Sequence, residues 1–316
     1  MKRIAFPLLL IAAIVTGCQI QPEEQGEITV DLSLKGADVP VSMYGVFFEE
    51  INHAGDGGLY AELVQNRSFE EKEPPAGYTT EGNRLRPAPV RSHLSGEVSD
   101  QTYRWSSEEF PGWSVRSTGG AKAQMALTKD QPLHPATPNS LRVTIPANAG
   151  EVSLVNSGYW GMGLFQGEKY MLRCYLRTPG YSGTVTARLT DGSGNAVAVE
   201  LLTLIPGKEW NEYKITLTPG QTVTDGRLEL VFTGSGTFWA DYISLFPEQT
   251  FLNRPNGLRR DVAQFLADLK PAFIRWPGGC IVEGITLSNR VQWKKTLGDP
   301  MTRSGEYDTW GYRNTY

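Results

Sequence analysis

The run Phe273-Ile274-Arg275-Trp276-Pro277-Gly278-Gly279-Cys280 sets the fold class of this chain. It opens apolar and breaks off in a proline and two glycines. A buried parallel strand has this form where its C-terminal end opens into a loop that approaches a ligand. Just before it, Leu258, Val262, Phe265, Leu266 and Leu269 fall on one apolar stripe, so 257–269 is predicted to be a helix, with Asn256 as its cap. Lys270-Pro271 ends that helix, because proline disfavours helical geometry in the residue before it. Helix, tight connection, then a strand at Ala272–Trp276 is half of a β/α unit.

A second stretch has the same shape far upstream. Gly45-Val46-Phe47-Phe48-Glu49-Glu50 ends a predicted strand over 41–48, and a tail runs from Gly57 through Gln65-Asn66-Arg67-Ser68-Phe69-Glu70. Ile28, Val30, Leu32 and Leu34 alternate with polar residues and predict another half-buried strand. Prolines and glycines dominate 71–91, which is assigned as a linker. From 92 to 247 short β-rich runs recur (141–145, 168–176, 184–189, 196–204, 212–217, 227–232, 238–245). Turns such as Asp191-Gly192-Ser193-Gly194 separate them, and no convincing helix intervenes. That texture predicts a β-sandwich. The organisation is therefore nested: a signal at 1–17, a tether at 18–27, a first barrel strand and loop in 28–91, a sandwich at 92–247, and the first barrel helix and second barrel strand in 248–316. The expected fold class is mostly β, a jelly-roll-like, galactose-binding-like sandwich inserted into the start of an incomplete (β/α)8 barrel.

The start of the chain reads as a targeting segment. Lys2 and Arg3 precede an apolar run from Ile4 to Val15, too short to span a bilayer comfortably. The run ends in Val15-Thr16-Gly17-Cys18, which resembles a bacterial lipoprotein signal with Cys18 as the lipidated residue; a plain secretory signal is the alternative. The expected location is an exported, membrane-anchored lipoprotein, periplasmic or on the outer surface. Over 316 residues the net charge is -4, which gives no reason to expect nucleic acid as a partner. Cys174 and Cys280 are expected to be free thiols.

Several side chains stand where chemistry is expected. Glu49, at the end of the first strand, can accept charge-assisted hydrogen bonds from vicinal hydroxyls; its neighbour Glu50 suits a solvated loop acid. Arg275 inside an apolar strand demands an acidic partner, since an unpaired buried charge is very unfavourable. Gly278 and Gly279 let the backbone turn and approach a ligand closely. Trp293, Tyr307, Trp310 and Tyr312 in the last loop are either stacking surfaces for a flat apolar ligand face or packing residues. In the sandwich, Trp113 and Trp239 are assigned to the core. Tyr159 and Trp160 are placed beside a surface groove as candidate stacking faces for a ligand ring. Asp241 is a weak candidate for a structural calcium ion, one acid being no site by itself.

The segments 45–50, 57–70 and 273–280 together resemble the opening of the catalytic barrel of the glycoside hydrolase family 51 α-L-arabinofuranosidases. The resemblance implies an arabinose-containing plant polysaccharide or oligosaccharide as substrate, a retaining two-carboxylate mechanism and no organic cofactor. It implies that Glu49 holds the arabinofuranose ring and that Arg275 orients a catalytic carboxylate, while Asn66 belongs to the matched run either as support of the site or as scaffold. At the position of Cys280 many members carry a sugar-binding asparagine, and a thiol is a poor hydrogen-bonder, so Cys280 is expected to line the site and not to attack. The segment ending Gly236-Thr237-Phe238-Trp239-Ala240-Asp241 resembles β-sandwich carbohydrate-binding modules. The family's Asn-Glu catalytic motif is absent from 1–316, so no catalytic residue is assigned here and the chain alone is expected to be inactive. The alternatives are a non-catalytic, surface-anchored glycan-binding lipoprotein and an inactive fragment.

Overall fold

The computed structural model describes residues 28–75, 77–89, 101–120, 122–147, 150–284, 287, 290–307 and 313–314. Cys18, with the signal and tether, and Trp310 and Tyr312 lie outside the described residues. The chain divides into two units, Met1–Pro40 and Val41–Tyr316. In the first, the strand expected at 28–34 is not formed, and Ile28, Val30, Leu32 and Leu34 are all exposed. Alternation makes a strand only where a neighbouring strand supplies the other half of the ladder, and residues 28–40 pair with none.

The second unit runs through β1 (Val46–Phe47), β2 (Tyr78–Glu81), β3 (Arg84–Pro87), β4 (Tyr103–Arg104), β5 (Trp113–Ser117), β6 (Gln124–Thr128), β7 (Ser140–Ile145), β8 (Glu151–Asn156), β9 (Met162–Leu164), β10 (Tyr170–Thr190), β11 (Ala196–Leu202), β12 (Asn211–Leu217) and β13 (Val223–Pro247). Helix α1 (Arg260–Asp268), β14 (Ile274–Arg275), the short α2 (Cys280–Glu283), β15 (Glu306–Tyr307) and β16 (Arg313–Asn314) follow.

Most of this structure is one nine-stranded antiparallel sheet. Its spine is the pair β10 and β13, registered from Tyr170↔Pro247 to Thr190↔Arg227. What reads in sequence as two pairs of short strands is two long ones. The N-terminal part of β10 is flanked by β12, and its C-terminal part by β11. The C-terminal part of β13 continues into β7 and β6, and its N-terminal part into β8 and β5. Where the two parts meet, Gly183 lies opposite Gly234 and Gly236 opposite Tyr181. Gly236 has φ +115°, and a side chain there would collide with the carbonyl of Gly180. Glycine is required at that crossing because the two backbones touch. Apolar residues from both parts, among them Leu172, Leu189, Leu230, Phe232, Phe238 and Leu245, share a single core. Phe232 and Phe238 stack inside it with centroids 3.9 Å apart.

The segment assigned as a linker is structured. β2, β3 and β4 form a three-stranded sheet, joined at its first turn by Gly82-Asn83, with Gly82 at φ +60°. Tyr78, Leu85, Trp105 and Tyr307 close over it as a small second core. A Gly-Asn pair between two strands is a hairpin signal, masked here by the flanking prolines.

β1 and β14 pair in parallel, Val46 with Ile274 and Phe47 with Arg275. They are adjacent in space although the whole antiparallel sheet lies between them in sequence. Both are shorter than expected, and a 3-10 turn occupies Val41–Met43. Helix α1 starts at Arg260, and Asn256 sits in the preceding turn at φ +48° and caps nothing. The apolar stripe faces outward: Phe265 is 74% exposed and Leu269 69%, as against 4% for Ala263. The expectation of a buried second strand is corrected too, since Ile274 and Phe47 are each 52% exposed. Two parallel strands and one helix leave one another's outer faces uncovered.

The last loop is tied to the large sheet by Arg173, whose guanidinium donates to Asp299 through Nη1 (2.8 Å) and Nη2 (2.9 Å). The same group donates through Nε to Glu212 (2.6 Å). The guanidinium holds Asp299 below the usual carboxylate range. Asp299 is partly open to solvent, so Asp299→Asn is expected to lower stability by only about 1 kcal/mol. Proteolysis should show the loop over 293–303 becoming more cleavable in that variant, with the sheet unaffected.

Candidate functional site

Glu49 leaves the end of β1, and Pro277-Gly278-Gly279 leaves the end of β14, so parallel pairing delivers both to one end of the strand pair. The ladder continues past the strands: Phe48 N–H donates to the carbonyl of Arg275 (3.0 Å) and Glu50 N–H to that of Pro277 (3.1 Å). Phe48 stacks on Trp276 with centroids 3.9 Å apart, and the Trp276–Pro277 peptide is cis. The Gly279 N–H donates to Glu49 Oε1 at 3.1 Å. Gly278, at φ +143°, lies beneath the side chain, and a Cβ there would stand 2.5 Å from Glu49 Cγ. The glycines serve here to let a carboxylate lie on the turn and be aimed by it.

The neighbouring positions depart from expectation. Glu50 is fully buried and not a solvated loop acid. Arg275 is exposed, and its guanidinium lies 4.9 Å from the Phe47 ring centroid; the buried strand that would have forced an ion pair on it is not formed. Cys280 is free and exposed beside Gly279. Asn66 stands apart from this cluster as a knot in the scaffold. At φ +54° its Nδ2 donates to the carbonyl of Pro111 (2.8 Å), its Oδ1 accepts from Glu71 N–H (3.1 Å), and its carbonyl accepts from Trp113 Nε1 (3.0 Å).

A second cluster follows directly on Glu49. His53 touches Tyr159 (centroids 4.9 Å apart) and Trp160 (5.6 Å, edge-on). Tyr159 lies flat on Gly57, whose φ of +84° leaves no room for a side chain. The loop after β1 is thus locked to the loop between β8 and β9. Tyr159 and Trp160 line a cleft of about 360 Å³, as the groove assignment expected. His53 was missed because a lone histidine carries no local signal; its partners come from more than a hundred positions downstream.

Burial holds His53 at a pKa of about 4, below its ordinary 6.5. A depressed histidine stabilises the fold while it is neutral. As pH falls from 6.5 towards 4 the unfolded chain takes up a proton that the folded chain refuses, and that stability is lost. The ring is partly open to water, so the loss is about 1–2 kcal/mol. Urea midpoints at pH 7 and pH 4.5 should converge in His53→Phe, which keeps the ring contacts and removes the titration.

Of the remaining aromatics, Trp113 is core at 6% exposure, but Trp239 is half-buried under the guanidinium of Arg177, 4.2 Å from its centroid. Tyr307 belongs to the small core, and Trp293 is exposed. Asp241 is buried, its Oδ1 accepting from Tyr242 N–H at 2.6 Å. Burial raises its pKa well above the usual range, which favours the neutral acid. Calcium takes six to eight oxygens, and no group of three His, Cys, Asp or Glu suited to an ion occurs among the described residues.

Residues 265–316 match the Alpha-L-arabinofuranosidase 1 domain family. The chain is 34% identical over 302 residues to Alpha-L-arabinofuranosidase 1 of Arabidopsis thaliana, covering 94% of this chain and 40% of that protein. An arabinose-bound family 51 α-L-arabinofuranosidase superposes with a TM-score of 0.71 at 33% identity, covering 88% of this chain and 40% of that one. Over most of its length the chain is similar to α-L-arabinofuranosidases, the solved structure among them a family 51 enzyme. It is also 33% identical over 326 residues to the extracellular exo-alpha-L-arabinofuranosidase of Streptomyces chartreusis, covering 99% of this chain and 34% of that protein. The chain thus spans about two-fifths of the length of these relatives.

Proposed function

We propose that this chain forms the ring-holding side of an α-L-arabinofuranosidase that releases terminal arabinofuranose from arabinan or arabinoxylan. The Glu49 carboxylate, aimed by the Gly279 N–H at the C-terminal end of a parallel strand pair, carries this reading. One carboxylate oxygen accepts from the backbone, and the group is placed to receive vicinal hydroxyls of a sugar. Retaining glycosidases need two further carboxylates about 5 Å apart. Glu50 is turned into the protein, which supports assigning the acid/base and the nucleophile to the length of the family that residues 1–316 do not span. The outward faces of α1 and β14 fit that reading, since later barrel elements would cover them.

The same proposal takes the nine-stranded unit as a β-sandwich inserted between the first two barrel strands. Its two flanked halves and single core support that, as does the loop position, which tolerates insertions. The Streptomyces relative is named as extracellular, and with the apolar start of the chain this supports export, with Cys18 as the candidate lipid anchor.

Hydrolysis of 4-nitrophenyl α-L-arabinofuranoside tests the reading. Residues 1–316 alone are expected to be inactive, and the same residues joined to the remaining family length active, with Glu49→Gln abolishing turnover. Activity of the short chain, or an active Glu49→Gln, would refute it.

A further inference from the structure

The cleft beside Trp160 is not the Glu49 site. It lies in the seam between the loops around β9 and the start of α1, walled by Tyr60, Trp160, Phe165, Glu168, Gln249 and Arg260. Its volume of about 360 Å³ falls at the low end of the range for small-ligand clefts. Trp160 is 71% exposed and Phe165 52%. Two large aromatic faces held open to water at one cleft mark a recognition surface. Trp160 is also held in place, its edge against His53 and its flank against Tyr159, so little order has to be gained on binding.

The polar rim limits the ligand class. Arg260 donates through Nη1 to Gln249 Oε1, and its Nη2 is 3.7 Å from Glu168 Oε1. Arg259 pairs with Asp261 at 2.6 Å. Each cation of the rim is matched by an anion, so neither a phosphate nor a carboxylate ligand finds an uncompensated charge. Guanidinium forks and carboxylates side by side instead offer alternating donors and acceptors, which suits vicinal hydroxyls. Aromatic faces suit the apolar C–H face of a sugar ring.

We infer that this cleft is a second glycan-binding site, which takes a neutral stretch of the polysaccharide backbone while Glu49 holds the terminal arabinose. The polysaccharide class rests on the proposed function; the existence of the site does not. Because Tyr159 is seated on Gly57 in the loop that leaves Glu49, one continuous segment of chain runs from one site to the other.

Binding of soluble arabinoxylan and of xylohexaose to the purified chain, measured by affinity electrophoresis and calorimetry with dextran as the indifferent polymer, tests this. Trp160→Ala should weaken arabinoxylan binding about tenfold, the factor that 1.4 kcal/mol of lost stacking gives. Trp160→Phe should recover most of it, and xylohexaose, which carries no arabinose for Glu49 to hold, should show the same dependence on Trp160. Thermal midpoints should stay together, since Trp160 is exposed. Binding lost in Glu49→Gln and kept in Trp160→Ala would overturn the second site and leave the ring-holding reading standing. No binding of either glycan by the unmodified chain would overturn the second site, while the hydrolysis experiment would decide the function independently.

Discussion

Replacing Glu62 by alanine is expected to lower the unfolding free energy of the second unit by about 3–5 kcal/mol. The Glu62 and Arg67 side chains are 0% and 3% exposed and lie 3.7 Å apart. Glu62 Oε1 accepts from Val64 N–H (3.0 Å) and Leu245 N–H (2.9 Å), and Oε2 accepts from the Ser244 hydroxyl (2.6 Å). Removing the carboxylate takes the Glu62 charge away from the buried Arg67 guanidinium, which still has Asp56 near it, and strands three donors in the interior, each loss carrying its own desolvation penalty. The Arg67 guanidinium still faces the Tyr60 and Tyr242 rings, at 5.9 and 5.8 Å from their centroids, which softens the loss without cancelling it. Glu62→Gln keeps an acceptor and should lose about half as much. Urea unfolding followed by tryptophan fluorescence measures both. A loss below about 1 kcal/mol in Glu62→Ala would show that the pair does not pin the loop after β1 to β13.

Gly278→Ala is the second large effect, and it is expected in binding more than in stability. The new methyl would lie 2.5 Å from Glu49 Cγ, 2.9 Å from its Cβ and 3.0 Å from its Cα, at a φ of +143°. Backbone strain at such a position is on the order of 1–3 kcal/mol. The clash is met by Glu49, the residue proposed to hold the sugar, so Glu49 has to move. A displacement of about 1 Å in such a group lowers productive binding or turnover about a hundredfold. Gly279→Ala is the contrast: its added methyl would lie 3.7 Å from Glu49 Oε1, an ordinary contact. Saturation-transfer NMR with L-arabinose should show the signal vanish for Gly278→Ala and survive for Gly279→Ala. Equal signals from the two variants would remove Gly278 from the site.

Much of this arrangement was legible in the residues. Gly45–Glu50 and Phe273–Cys280 were recognisable as two strand ends because apolar runs that stop at acids and glycines have few other uses, and the structure pairs them in register. The β-rich texture of 92–247 was equally plain. The long-range details were not. Nothing in 170–190 or 223–247 says that two runs will fuse through a glycine crossing, because that crossing depends on Gly183 meeting Gly234. The hairpin at Gly82-Asn83 was signalled and outweighed by its prolines. Glu50 was misread because acids are mostly solvated, and its burial follows from the ladder bond to Pro277, far away in sequence.

Local chemistry settles what each segment can become: proline ends the helix before 271, glycine permits φ +143° at 278, and alternation makes 92–247 a sheet-former. Contacts between distant segments settle which of those capacities is used. Ile28–Leu34 had a strand pattern and no partner, and stayed outside any ladder. Glu49 had an ordinary loop position, and its carboxylate is held and aimed because a parallel neighbour brought Gly278 and Gly279 beneath it. Trp160 was one tryptophan among eight, and its role as a platform came from His53 and the start of α1 closing the cleft around it. The backbone bonds and the burial that decide such outcomes are shared between segments, so neither can be read from one segment alone.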